Sequence, residues 1–185
     1  MKPRPFPLII KTSRLVIKKL TMKDANSLFK LIDSDRKRLG KFLPFVALMK
    51  TVRDQKKFLD QQQEHWRDRT KFSYGIFRAD DGVLMGAITA HSFRWAHDSL
   101  EFGYWIGGVY EGYGYVSEAV QALARAAFAM KFHRIEIRCD TKNQKSRDVT
   151  FNCGFKSEGV LRGIVKIGTS YFDIEVFSLL ASDVT

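Results

Sequence analysis

Two periodicities alternate along the chain. Residues 14–20, RLVIKKL, read as a strand. Thr21 with Asp24 three residues on resembles a capping box, with aspartate in place of the usual glutamate. A helix follows with Ala25, Leu28, Phe29 and Ile32 on one face, then a short helix ending near Gly40. Thr51 and Asp54 repeat the cap and open a polar helix to about Arg69, anchored by Val52, Phe58, Leu59 and Trp66. Residues 1–11 read as an irregular, proline-pinned lead.

The pattern then shortens to period two. FSYGIFR (72–78), VLMGAITAHSF (83–93) and SLEFGYWIG (99–107) read as strands, the first two joined at the turn signal Asp80-Asp81-Gly82. A helix runs from about Tyr115 to Lys131, with Val116, Val120, Leu123, Ala127 and Met130 on one face. HRIEIRC (133–139) is a strand, and residues 143–153 form a short helix ended by Gly154. Two strands close the chain, near residues 156–165 and 170–180, with Gly168 in their turn. The order β, αα, βββ, α, β, α, ββ predicts one mixed α/β (α+β) domain over residues 1–185, with a largely antiparallel sheet flanked by helices.

Composition narrows the setting. No apolar run approaches the roughly 18 residues of a membrane span. The lead has only three consecutive apolar residues, at 8–10, too few for a signal-peptide core, so a cytoplasmic location is expected. Cys139 and Cys153 lack zinc-site spacing and read as two reduced thiols near the core, and no metal site is visible. The formal net charge of +11 is spread over small clusters, Lys18-Lys19, Arg36-Lys37-Arg38 and Lys56-Lys57. That distribution favours attraction to a large negatively charged partner over specific nucleic-acid recognition.

The strongest local feature is GYWIGGVYEGYGYVSEAVQAL, a strand, a loop with glycines at 107, 108, 112 and 114, then a helix. Glycines permit positive φ and close backbone approach, so successive N–H groups can converge on an anion. The following helix adds free donors and a partial positive charge. The pattern predicts a phosphate cradle. No Gly-Lys-Ser/Thr follows, as a Walker loop requires, and no third glycine completes a dinucleotide fingerprint.

The run EFGYWIGGVYEGYGYVSEAVQAL, followed by HRIEIRCDTKNQKSRDVTFNCGFKSEGVLR, resembles the GNAT superfamily of N-acetyltransferases, and within it the Rim-type branch that acetylates ribosomal-protein N-termini. The likeness is densest over residues 99–180. It implies a twisted sheet that splays to admit acetyl-CoA as co-substrate. The CoA pyrophosphate would rest on the backbone N–H groups of Glu111, Gly112, Tyr113, Gly114, Tyr115 and Val116. Its pantetheine arm would pair with Trp105, Ile106 and Gly107. Asn143 would contact the cofactor, and Ser146 matches the residue that protonates the departing thiolate. Relatives are monomers or homodimers.

Three positions depart from the family pattern. Glu111 puts a carboxylate beside the pyrophosphate, which is unfavourable unless it turns to solvent or meets a basic group. Val116 replaces a small residue, and Thr150 stands where many relatives carry a tyrosine acid.

Acetyl transfer to an amine needs a base, and Glu101 is the first candidate. Alternation puts Glu101, Gly103 and Trp105 on one strand face, and Gly103 leaves room beside the carboxylate. The competing reading is a glutamate paired with a nearby arginine or lysine. His91 is a second candidate base. The position of another Rim-branch glutamate is taken by Val165, which cannot hold a proton. Tyr171, Asp173 and Glu175 share one face of the last strand and either line the amine site or meet solvent. Phe42, Phe45 and Trp66 either wall the acceptor pocket or belong to the core. The sequence thus points to an N-acetyltransferase for a protein or peptide α-amine. The alternatives are a small-amine acetyltransferase and a non-catalytic acyl-CoA-binding module.

Overall fold

The computed structural model describes residues 5–184. Its elements in chain order are β1 (Ile9–Lys11), β2 (Leu15–Lys19), α1 (Ala25–Asp33), α2 (Arg36–Leu39), α3 (Val52–Asp68), β3 (Phe72–Arg78), β4 (Leu84–Arg94), β5 (Ser99–Ile106), α4 (Tyr115–Ala129), β6 (Arg134–Asp140), α5 (Gln144–Asn152), β7 (Lys156–Ile167) and β8 (Ser170–Leu180). Eight strands form one sheet in the order β1-β2-β3-β4-β5-β6-β8-β7. The expected α/β class with a mostly antiparallel sheet is the observed one. The β5–β6 pair is the one parallel pairing among the described residues.

Strand alternation divides the core in two. Leu15, Ile17, Tyr74, Ile76, Ile88, Leu100, Phe102, Ile135 and Ile137 pack against the apolar face of α4, formed by Val116, Val120, Leu123 and Ala127. Phe77 and Leu84 face the opposite way, onto Leu28 and Ile32 of α1 and Leu59 of α3. The predicted faces of α1 and α4 are therefore the buried ones. Thr51 caps α3 through its hydroxyl, which accepts from Asp54 N–H at 3.2 Å. At Thr21 the same motif opens a single 3-10 turn that leads into α1.

One expectation changes and one open alternative is decided. Part of the lead is a strand, because β1 pairs antiparallel with β2 from Ile9–Lys18 to Lys11–Val16; residues 1–4 lie outside the described residues. Trp66 belongs to the core, edge-on to Phe72 and Tyr74, with its indole N–H donating to the Ser73 carbonyl at 3.2 Å. It takes no part in an acceptor wall. Both cysteines are free and buried, and burial pushes each thiol up to about 11.

The seam between β5 and β6 positions the site. Their pairing runs only from Ser99–Arg134 to Phe102–Ile137. Beyond it β5 continues with β4 alone, and β6 with β8 alone. The strands separate at Gly103, and a cavity of about 280 Å³ opens between them.

Candidate active site

The cradle is the loop between β5 and α4. Gly112 and Gly114 have φ of 82° and 77°, the left-handed region that strains any residue with a Cβ. Glu118 N–H reaches back to the Gly114 carbonyl at 3.0 Å. The N–H groups of Tyr115, Val116 and Ser117 therefore lie ahead of the α4 hydrogen-bond ladder and stay available to an anion. Val116 turns its side chain into the core, so its bulk leaves the junction open. The Glu111 N–H is engaged, donating to the Gly108 carbonyl at 3.2 Å.

Side chains brace the loop from two directions. Arg14 Nη1 donates to the Tyr113 carbonyl at 3.0 Å, while Arg14 Nε meets Glu118 at 2.7 Å. On the opposite flank the Glu111 carboxylate bridges Arg38 Nη1 and Lys145 Nζ, each at 2.5 Å. The misfit glutamate thus meets two basic groups. Arg38 also pairs with Asp35 and donates to the Ile106 carbonyl at 2.6 Å. Although burial opposes it, the Arg38 guanidinium and the Gly108 N–H hold Asp35 below the ordinary aspartate value.

The end of β5 presents backbone to the gap. Gly107 N–H donates to Met85 O at 2.8 Å, so this group is used within the sheet. By the two-residue alternation Trp105 faces β4 as well, and Ile106 and Tyr104 face the gap. Of the three residues expected along a pantetheine arm, Ile106 is the one so oriented.

The cavity is lined by Gly103 and Tyr104 of β5, Arg138 and Cys139 of β6, and Asn143 and Ser146 at the start of α5, with Phe42 at one side. Asn143 caps α5, its side-chain carbonyl accepting Ser146 N–H at 3.2 Å. The Ser146 hydroxyl is therefore not the cap, and it lies 3.1 Å from the Tyr104 hydroxyl. Sequence reasoning missed Tyr104: alternation puts it on the strand face opposite Glu101, but nothing local says what it meets there. Phe45 packs on Trp105 instead of lining the cavity.

Glu101 lies beside Gly103, its side chain 16% exposed, with Arg138 Nε at 3.5 Å. Burial pushes this carboxyl above the ordinary glutamate value; Arg138 opposes that shift without cancelling it. The contact with Arg138 is the one that the ion-pair reading of Glu101 describes. His91 is its cross-strand partner. Its Nε2 would stand 3.3 Å from a Cβ placed on Gly103, so the absent side chain leaves room beside the imidazole. Burial, with the positive charges of Lys71 and Arg138, pulls His91 down to about 4, and it is neutral at neutral pH.

The remaining candidates separate clearly. Glu175 is buried in an ion pair with Arg147 at 2.7 Å, and Asp173 accepts Gly163 N–H at 2.7 Å. The opposite face of β8, Phe172 and Ile174, lines the cavity together with Val165. Tyr171 is exposed. Thr150 bonds the Arg147 carbonyl in its own helix at 2.7 Å.

A sheet opened between parallel strands, with an anion cradle at the next helix N-terminus, is the setting in which the comparisons fall. Residues 14–156 match the acetyltransferase (GNAT) domain family, and the chain belongs to that family of acetyltransferases. It is similar to a Bacillus subtilis protein named "Putative ribosomal N-acetyltransferase YdaF", 31% identical over 170 residues, or 90% of this chain and 91% of the relative. It is also 27% identical to the ribosomal-protein-serine acetyltransferase of Escherichia coli, over 82% of this chain and 84% of the relative. The solved structure of the microcin C7 self-immunity acetyltransferase MccE, in complex with acetyl-CoA and AMP, superposes with a TM-score of 0.87 at 22% identity, over 91% of this chain and 93% of that one.

Proposed function

We propose that this protein transfers an acetyl group from acetyl-CoA to the α-amine of a protein N-terminus. The observation that carries the proposal is the course of one opened strand, β5, from the Gly103 cavity in its middle to the glycine loop that follows its C-terminal end. The orphan N–H groups of α4 suit a diphosphate, and the gap suits an extended arm reaching from it. MccE, the structural neighbour, was solved with acetyl-CoA bound. A protein acceptor is supported by the name of the E. coli relative and by the net charge of +11, which favours a large acidic partner. A cytoplasmic setting belongs to the same reading.

The thioester of acetyl-CoA supplies the activated acetyl group. Glu101 holds the proton released by the acceptor amine, and its raised carboxyl value brings it nearer neutrality, where a base works best. Ser146 Oγ, oriented by the Tyr104 hydroxyl, supplies a proton on the α5 side of the gap. Phe42, Phe172 and Ile174 exclude water from the space between them.

The test is a panel of N-terminal peptides and small amines incubated with acetyl-CoA, following free-thiol release and locating the acetyl group by mass spectrometry. Turnover on peptide α-amines is the expected result. Turnover on small amines alone would replace the acceptor class. CoA binding without turnover on any acceptor would make the protein a binding module.

A further inference from the structure

The only acidic residue within the cradle sits between two cations from distant parts of the chain. Arg38 comes from α2 and Lys145 from the first turn of α5, and they meet at the Glu111 carboxylate. Arg38 is held in place by Asp35 and by the Ile106 carbonyl. Asp35 is fixed in turn by Gly108 N–H at 2.8 Å. The arginine is therefore set at the junction where β5 becomes the cradle. Lys145 is the more exposed of the two, with 74% of its side chain open to solvent. Glu111 is 19% exposed, so its charge lies largely under these two partners.

A single carboxylate shares its charge between the two. A diphosphate brings one negative charge to each cation and more acceptor oxygens. We propose that Arg38 and Lys145 are diphosphate-binding side chains of the acyl-CoA site, and that Glu111 is their resident counter-ion, displaced when the diphosphate arrives. The inference rests on the reading of the loop as a CoA cradle.

Two consequences follow from the exchange. Binding trades two carboxylate ion pairs for two phosphate pairs, so affinity is lower than the cradle would give without Glu111. The exchange also selects among thioesters. A pantetheine thioester without the nucleotide leaves Glu111 in place and gains nothing from either cation.

The experiment compares CoA with pantetheine by calorimetry on the intact protein, for the native chain, Glu111→Gln and Lys145→Met. Glu111→Gln is expected to bind CoA roughly threefold to tenfold tighter, from the value of partly exposed ion pairs, with pantetheine unchanged. Lys145→Met is expected to bind CoA severalfold more weakly, again with pantetheine unchanged. Both differences are expected to shrink in 1 M salt, where the Debye length is about 3 Å. Weaker or unchanged CoA binding in Glu111→Gln would overturn the proposal and leave Glu111 a structural brace. Unchanged CoA binding in Lys145→Met would overturn it for the lysine. A native chain that binds neither compound would remove the CoA reading of the cradle, and this inference with it.

Discussion

The cradle and the Gly103 gap adjoin along the C-terminal half of one strand, β5, yet they are built from different materials. The cradle's frame is backbone: glycines at positive φ and helix N–H groups ahead of their ladder, with Arg38 and Lys145 at its flank. The gap is side chains: Tyr104 from β5, Arg138 from β6 and Ser146 from α5 line it, with Glu101 against Arg138 and His91 beside Gly103. Backbone sites hold charge without titrating. Side-chain sites change with protonation. Damage to the cradle should therefore appear as lost affinity, and damage to the gap as lost turnover and altered pH dependence.

The largest expected effect tests the gap. Glu101→Gln keeps the shape and removes the base, so kcat is expected to fall by about 10²–10⁴, the usual worth of a positioned acid or base. The Kd for CoA is expected to stay as it is. In the native chain the rate rises with pH as the Glu101 carboxyl ionises, above the ordinary glutamate range because burial raises it. Turnover equal to the native rate across several pH values would remove Glu101 from the chemistry and erase the contrast.

A smaller effect concerns His91. Its folded value of about 4 lies below the ordinary 6.5, so the folded state favours the neutral ring. Its contribution to stability is complete above the unfolded value and is lost as pH falls from about 6.5 to about 4. At about 1.4 kcal/mol per unit the loss is roughly 2–3 kcal/mol. Lys71, Arg138, Glu101 and Ser92 surround the ring, and Glu101 contributes with the opposite sign, since its raised value favours the folded state at low pH. Urea unfolding at pH 7.5 and 4.5 isolates the histidine, because His91→Gln should remove its share. The same acid loss in both proteins would show that burial of His91 costs nothing.

The contrast of materials also explains what was legible in the chain. Local spacing reports local structure, and the cradle is local: its glycines, the end of β5 and the start of α4 lie within about twenty residues. The faces of α1 and α4 were legible for the same reason. The short strand β1 was hidden because Ile9–Lys11 has little apolar alternation of its own and is defined by pairing with β2. The gap depends on meetings across the fold. Tyr104 reaches Ser146 from 42 positions away, and Arg38 reaches Glu111 from 73. Glu111 therefore looked like a defect in the loop, and only the arrival of α2 and α5 supplies its partners.

The smallest effect tests the backbone's share in the cradle. A Cβ on Gly112 would meet nothing within 4 Å, yet the residue's φ is 82°. Gly112→Ala thus carries no steric clash, and any effect it has must come from the left-handed backbone. The strain for a residue with a Cβ is about 1 kcal/mol, enough to weaken CoA binding roughly fivefold if the loop relaxes to avoid it. Turnover at saturating acetyl-CoA is expected to remain within about twofold of native, because the groups at Gly103 are untouched. Gly103→Ala supplies the opposite control: its added methyl would approach His91 Nε2 at 3.3 Å, on a backbone without positive φ. There kcat should fall while CoA affinity holds. If Gly112→Ala instead lowers kcat with CoA affinity intact, the loop and the gap are one coupled device, and the separation into a titrating part and a non-titrating part is lost.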